Sequence, residues 1–373
     1  MISPTSEHPV VIVGAGPIGL ELAVALRHHG VPVRHFDRGT IGQTITEYPK
    51  EVRFFSSPER LSIAGVPFRT AQQEKGTREE YLSYLRGVVT QFDLAIESFT
   101  EVVSIEPKSD RIELGIAPSL ERAPGQALPT APSGSSREPA ETISASAVVL
   151  AIGDMHAPHR LEIPGEDQPH VAHRFDEPHA YVGKRLLVIG GRNSAVEAAL
   201  RCHRAGAHVS LSYRRGEFRE RSVKAWLLPD LKNQIRAGAI EFFPGTEPVS
   251  IGAGSVTLRG NDESENPGET REVDTDFVLV LAGFDQDPIL FEKAGLSLGG
   301  GNDRPQLDVE TMESSVPGIY VAGTAVAGSQ RDYRLFIENS HPHVGRIVRA
   351  ITGRDAPFET EDTAVTARDL PES

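Results

Sequence analysis

Gly14, Gly16 and Gly19 are spaced as G-x-G-x-x-G directly after the apolar run Val10-Val11-Ile12-Val13. That pattern suits a strand turning sharply into a helix. Gly14 permits the bend, Gly16 lets the backbone approach a pyrophosphate, and Gly19 lets the helix pack closely on the strand. Pro17 and Ile18 lie within the turn, and the helix that follows offers the N–H groups of its first turn to the phosphates. Asp37, followed by Arg38, lies about 20 residues on, where an acid accepts hydrogen bonds from an adenosine ribose. A glycine turn alone is weak evidence, but strand, helix and acid are in register here. A second turn, Gly190-Gly191-Arg192-Asn193-Ser194-Ala195, follows the apolar run Arg185 to Ile189. Arg192 replaces its third glycine, a side chain that crowds a phosphate or binds it as a charged donor. Arg214 and Arg215 stand where a ribose-binding acid would be. Basic residues there suit a 2′-phosphate, hence NADPH over NADH; the alternative is a solvated arginine pair at a strand end.

These residues need two copies of one strand–helix–strand unit to position them. In the first, the strand Val10 to Val13 leads to a helix Leu20 to His29, a C′ glycine at Gly30 and a strand Val31 to Phe36. In the second, the strand Arg185 to Ile189 leads to a helix Val196 to Ala205, Gly206 and a strand Ala207 to Ser212. The fold class is α/β with two Rossmann-like dinucleotide-binding domains, the first discontinuous. Between the copies lie a helix near Arg78 to Gln91 and a strand-rich part ending in Ala147 to Ile152. Ala117 to Glu141 reads as a flexible loop between strands, and Asn261 to Glu272 as a hairpin loop. Val316 to Gly323 forms another strand and turn, and a helix runs from about Pro342 to Ile351. That last piece is too short for a third domain, so it returns to the first. The expected domains are 1–160 with 290–373, and 161–289. Crossings fall near 153–165 and 283–290, with a polar, poorly ordered tail from about Asp355. Two nucleotide folds, one suited to NADP, imply a flavoprotein with FAD in the first and NADPH in the second.

The 373 residues are 39% hydrophobic and 24% charged, enough for sizeable cores without a metal or disulfide staple. Net charge is −14, from 52 acidic against 38 basic residues, which argues against a nucleic-acid partner. The one cysteine, Cys202, excludes an internal disulfide and a CxxC redox pair. It lies seven residues after Ala195, on the same apolar helix face, and reads as core. No apolar run suits a bilayer span, and Met1 to His8 lacks a secretory signal. The expected location is cytoplasmic, without a membrane partner. His156 and His159, and the group His170, His173 and His179, lack a recognisable metal-ligand spacing. They read as surface or hinge residues.

The order GAGPxG, an apolar strand before Gly153, GGxNSA, an Arg-Arg pair and VPGIYVAG resembles the thioredoxin-reductase-like flavoproteins. Further stretches look closer to the bacillithiol disulfide reductase (YpdA-like) family. They are Tyr48-Pro49, Phe54 to Ser57, Val66 to Phe68, Ile163 to Asp167, Asn193 to Leu200, Lys224 to Asp230, Thr311 to Glu313 and Phe336 to Asn339. The resemblance implies electron flow from NADPH through FAD to a low-molecular-weight disulfide, in a homo-oligomer. It implies that Gly153, Gly323, Thr324 and His341 line the flavin, and that the last helix, capped by Ser340, points its N-terminus there. His343 matches a family histidine and becomes the candidate catalytic group. Trp226 reads equally as packing or as a substrate contact, and Glu197 as near the cofactor or on an ordinary helix face. Two positions depart from the pattern: Ile18 stands where family members carry a cysteine, and Thr324 where the wider superfamily has an acid. No thiol relay is available, so the acceptor stays open between a disulfide and ferredoxin, quinone or oxygen. A monooxygenase and a non-catalytic sensor are further alternatives.

Overall fold

The computed structural model describes residues 3–71, 74–119, 138–219, 223–330 and 334–359. The chain divides into two compact units. The first comprises Met1–Glu47, Glu51–Ala157 and Phe284–Ser373; the second comprises Tyr48–Lys50 and Pro158–Gly283.

In the first unit Val10–Val13 is buried along its whole length. A continuous apolar run is what a parallel strand covered on both faces requires. Five strands lie in the order Ile319–Val321, Ala147–Leu150, Val10–Val13, Val33–Asp37, Ile96–Ser98. Val10 pairs with Val33 on one side and Ala147 on the other. The helix Pro17–His28 begins three residues before Leu20, because Pro17 presets the first helical φ. It is followed by Gly30 at φ +71°. The helix Arg78–Gln91 carries a reciprocal capping box between Thr77 and Glu80. Strands Thr100–Pro107, Ile112–Pro118 and Glu141–Ala145 form an antiparallel sheet. Both ends of the segment read as a loop therefore belong to strands, and residues 120–137 lie outside the described residues. The last helix, His341–Thr352, buries Val344, Ile347 and Val348. The tail is anchored at its start: Asp355 takes Arg349 at 2.6 Å, and its carbonyl lies 2.8 Å from His29 Nε2. Residues 360–373 lie outside the described residues.

In the second unit the parallel order is Glu241–Pro244, His208–Tyr213, Arg185–Ile189, Phe277–Val280, Val171–Ala172. The helix Asn193–Arg204 starts at Asn193, three residues before the expected Val196, and is closed by Gly206 at φ +98°. Thr246–Ile251, Ser255–Gly260 and Thr270–Asp274 form an antiparallel sheet. Glu272 pairs with Thr257 and Thr270 with Arg259, so the hairpin loop is shorter than Asn261 to Glu272. The short piece Tyr48–Lys50 also belongs to this unit. Lys50 Nζ lies 2.9 Å from Asp176 and 3.1 Å from Glu177, and Arg201 donates to the Lys50 carbonyl at 2.7 Å.

Candidate dinucleotide and flavin sites

The three glycines of the first turn do different work. Gly14 has φ +107°, and a Cβ there would lie 2.4 Å from the Ala151 carbonyl oxygen. A Cβ on Gly19 would lie 2.0 Å from the Gly14 carbonyl oxygen, so only glycine lets this helix settle on the turn. A Cβ on Gly16 would meet no protein atom within 4 Å, which leaves its backbone open to a ligand. The helix beyond presents first-turn N–H groups without intrahelical acceptors. This arrangement fits a pyrophosphate. Asp37 Oδ2 accepts from the Ala15 N–H and Oδ1 from the Gly39 N–H, both at 2.7 Å. An ionised carboxylate offers about four acceptor sites, so Asp37 can brace the turn and still receive a ribose hydroxyl. Arg38 beside it is half-buried. Beneath the turn lies His35, 2% exposed, with Nε2 2.9 Å from the Gly14 carbonyl oxygen. Burial pushes its pKa down to about 4, so the ring is neutral and donates from Nε2. The sequence reading did not single out His35.

Two adjacent strands deliver the next residues to the carboxyl end of the same sheet. Gly153 follows one and Gly323–Thr324 the other, with Gly153 at φ +76° and Gly323 at φ +72°. A Cβ on Gly153 would lie 3.9 Å from Thr324 Oγ1, and one on Gly323 would lie 3.5 Å from Ile18 Cβ. The Gly323 N–H donates to His343 Nδ1 at 3.2 Å. Ile18, Gly323 and His343, from three separate segments, therefore meet. His343 is 7% exposed, and burial foremost, then Arg346 and His341, pushes its pKa down to about 4. With Nδ1 accepting, the neutral ring carries its proton on Nε2, the one donor it can offer. His341 is used differently: Nδ1 lies 2.7 Å from Glu21 Oε2 and Nε2 lies 3.3 Å from the Arg60 carbonyl oxygen. With both ring nitrogens engaged, what His341 offers a cofactor is its backbone at the helix start. Ser340 stands at the N-cap as expected, but its hydroxyl makes no cap hydrogen bond and donates back to the Phe336 carbonyl at 2.6 Å.

Sequence reasoning missed Asp154. It is 6% exposed, accepts from Gln330 Nε2 at 2.7 Å, and is hydrogen-bonded to the Thr324 side chain. Burial holds its carboxyl above the usual carboxylate range, against the pull of those hydrogen bonds. A buried carboxylate thus lies beside the position where Thr324 replaces an acid. The Gly-Asp dipeptide carried no signal, because its partners are remote in sequence.

The second turn is built differently. Gly190, at φ +143°, would place a Cβ 2.5 Å from the Leu281 carbonyl oxygen. Gly191 would place one 2.3 Å from the Tyr213 ring, so this glycine makes room for an aromatic ring of its own unit. Tyr213 stacks on Phe218 with centroids 5.4 Å apart. Arg192 precedes the helix in extended conformation, Ala195 is buried, and Ser194 is exposed at the helix start. Asn193 Oδ1 accepts from the Lys224 N–H at 2.8 Å, tying a distant loop to the turn. Arg214 is exposed and Arg215 half-buried at the end of the neighbouring strand. Burial raises Glu197 to about 7, opposed by Arg201. Trp226 is 40% exposed, with Lys224 Nζ 5.8 Å from its ring centre, so it is not a core residue. Cys202 is fully buried and its thiol is pushed up to about 12, which makes it core.

Of the histidines read as surface or hinge residues, two have ring nitrogens held by specific partners. His156 donates from Nε2 to the Ile152 carbonyl and accepts at Nδ1 from the Asp287 N–H, both at 2.9 Å. His173 Nε2 lies 2.8 Å from Glu166 Oε1. Glu166, 3% exposed, accepts from the Leu161 and Glu162 N–H groups and so shapes the segment it belongs to. Among the described residues no group of three or more His, Cys, Asp or Glu side chains could hold a metal ion.

Two doubly wound units in one chain, each with a glycine turn opening a helix at the sheet's carboxyl edge, define the class of two-dinucleotide-domain oxidoreductases. The family model that matches residues 11–117 and 137–323 describes the pyridine nucleotide-disulphide oxidoreductases. The chain belongs to that family, and within it to the Bdr (YpdA) bacillithiol disulfide reductase group. It is 32% identical over 349 residues to bacilliredoxin reductase Bdr of Bacillus subtilis, covering 94% of this chain and 99% of that protein. The solved structure of bacillithiol disulfide reductase Bdr (YpdA) from Bacillus cereus matches with TM-score 0.82 and 29% identity, over 93% of this chain and 99% of that one. A ferredoxin–NADP reductase of Ignicoccus hospitalis is 24% identical, over 86% of this chain and 91% of that protein. Family membership implies FAD and NAD(P)H as cofactors. Among the described residues no helix is long and apolar enough to cross a membrane.

Proposed function

We propose that this protein is an NADPH-dependent FAD enzyme that reduces a low-molecular-weight disulfide, bacillithiol disulfide or a close relative, without a thiol of its own. The observation that carries the reading is the second glycine turn followed by Arg214 and Arg215, in a chain whose first strand–helix–strand unit ends on Asp37. The balance is NADPH, one proton and one disulfide giving NADP⁺ and two thiols. When bound, the flavin supplies the step that splits hydride transfer from disulfide cleavage.

The chain's own residues bind, orient and protonate. In the first unit Gly16 and the helix start at Pro17, Ile18 and Gly19 hold the pyrophosphate of FAD, and Asp37 with Arg38 the adenosine end. Gly153, Gly323 and Thr324 border the flavin, with Asp154 supplying the buried acid behind Thr324. The N-terminus of the last helix, at His341, favours negative charge on the group it faces. His343 is neutral above a pH of about 4, so at physiological pH it acts as a hydrogen-bond donor from Nε2. In the second unit Gly190, Gly191, Arg192, Asn193, Ser194 and Ala195 hold the pyrophosphate of NADPH, and Arg214 with Arg215 its 2′-phosphate. Ile18 and the buried Cys202 leave the disulfide to be cleaved with no mixed disulfide on the protein. By resemblance the enzyme is a homo-oligomer, and its single cysteine suits the cytoplasm. A ferredoxin acceptor is the second reading, favoured by the weaker similarity to ferredoxin–NADP reductases but unsupported by the net acidity.

The test is NADPH oxidation by the flavin-loaded protein without oxygen, with and without oxidised bacillithiol. Disulfide-dependent turnover supports the reading. Flavin bleaching by NADPH that stalls with the disulfide but proceeds with ferredoxin transfers the acceptor to the second reading.

A further inference from the structure

The corner Arg214–Gly216 carries a built strap. The hairpin loop 261–266 folds over it, and Asn261 makes most of the bonds. Its N–H donates to the Gly245 carbonyl at 2.8 Å and its Nδ2 to the Arg214 carbonyl at 2.7 Å. Its Oδ1 accepts from the Glu263 N–H, and its carbonyl from the Ser264 N–H, both at 2.9 Å. Two glycines make the close fit possible. A Cβ on Gly245, at φ +60°, would lie 2.4 Å from the Ser264 nitrogen, and one on Gly260 would lie 2.3 Å from the Asn266 carbonyl oxygen.

The strap delivers one carboxylate to one place. Glu263 Oε2 accepts from the Gly216 N–H at 2.9 Å, and Oε1 lies 3.9 Å from Arg215 Nη1. A backbone N–H and a guanidinium are the two donors a phosphate monoester recruits. We infer that Glu263 sets coenzyme preference: its carboxylate occupies the anion site at Arg215 and the Gly216 N–H, and the 2′-phosphate of NADPH displaces it. This rests on reading Arg214 and Arg215 as the 2′-phosphate site.

The consequence is asymmetric between the two coenzymes. A 2′-phosphate must break the Glu263 contacts and tolerate a nearby like charge. A 2′-hydroxyl carries no charge and leaves the carboxylate in place. The Glu263 side chain is 53% exposed, so solvent screens the competition and the effect is a few-fold one.

The experiment is calorimetric titration of the flavin-loaded protein with 2′,5′-ADP and with 5′-AMP at low ionic strength. Glu263→Gln is expected to tighten 2′,5′-ADP about two- to fivefold, leave 5′-AMP unchanged, and lose that gain in high salt. Asn261→Ala, which frees the strap, is expected to move the same way. If Arg215→Ala weakens 2′,5′-ADP while Glu263→Gln leaves it unchanged or weaker, the coenzyme reading stands and the inference is overturned. If the wild type binds 2′,5′-ADP no better than 5′-AMP and Arg215→Ala changes neither, the coenzyme reading falls and the inference falls with it.

Discussion

Acid should loosen the first unit well before the second. His35, His156 and His343 all lie in the first unit, and each is pushed down to about 4, chiefly by desolvation. In the unfolded chain a histidine titrates near 6.5. Between these values the unfolded chain binds more protons. The stability these neutral rings carry is therefore complete above about pH 6.5 and is lost as pH falls towards 4. At 1.36 kcal/mol per pH unit, moving to pH 5 costs about 2 kcal/mol for each histidine, or about 6 if they act independently. That is a large share of the roughly 5–15 kcal/mol that holds a domain together. Asp154, raised by burial, offsets part of the loss. Glu197 in the second unit works in the opposite sense. Its folded pKa of about 7 lies above its unfolded value, so its contribution is full at low pH and is lost as pH rises through 7. Hydrogen exchange mapped onto the two units at pH 7 and pH 5 is the assay. The first unit should lose several kcal/mol of protection and the second much less. Replacing His35 with Gln should remove about a third of the pH dependence. A first unit as stable at pH 5 as at pH 7 would refute the reasoning.

Three substitutions test how the flavin unit is held. Gly19→Ala pushes a methyl into the Gly14 carbonyl and should abolish FAD retention. Gly87→Ala, on an open face of the helix Arg78–Gln91, should stabilise by about 0.5–1 kcal/mol, which denaturant titration can read. Asp154→Ala leaves Gln330 and Thr324 without their buried acceptor. It should cost about 1–3 kcal/mol in urea unfolding and weaken FAD binding in a fluorescence titration. Unchanged FAD affinity in that variant would remove Asp154 from the flavin site.

What could be read from the sequence is what is local in the chain. The two strand–turn–helix units are legible because glycine spacing, an apolar strand and a C′ glycine all fall within about 30 residues. The helix starts moved because Pro17 and Asn193 open their helices ahead of the apolar residues that mark the periodicity. The rest depends on distant pairings that no window reveals. Glu21 meets His341 across 320 positions, Asp154 meets Gln330 across 176, and Gly216 meets Glu263 across 47. Polarity misled in the same way. His156 reads as a surface or hinge residue, yet two backbone groups far apart in the chain claim its ring nitrogens. Gly191 fits a phosphate motif, yet the ring that needs its bare backbone is Tyr213, one strand later.

The proposed disulfide reduction uses no thiol of the protein. It is tested most directly by counting thiols released per NADPH consumed from oxidised bacillithiol, without oxygen, in the flavin-loaded wild type and in Cys202→Ala. Two thiols per NADPH, at the same turnover in both proteins, is the expected result. A loss of turnover in Cys202→Ala with flavin binding intact, or NADPH consumption that releases no thiol in either protein, would contradict it.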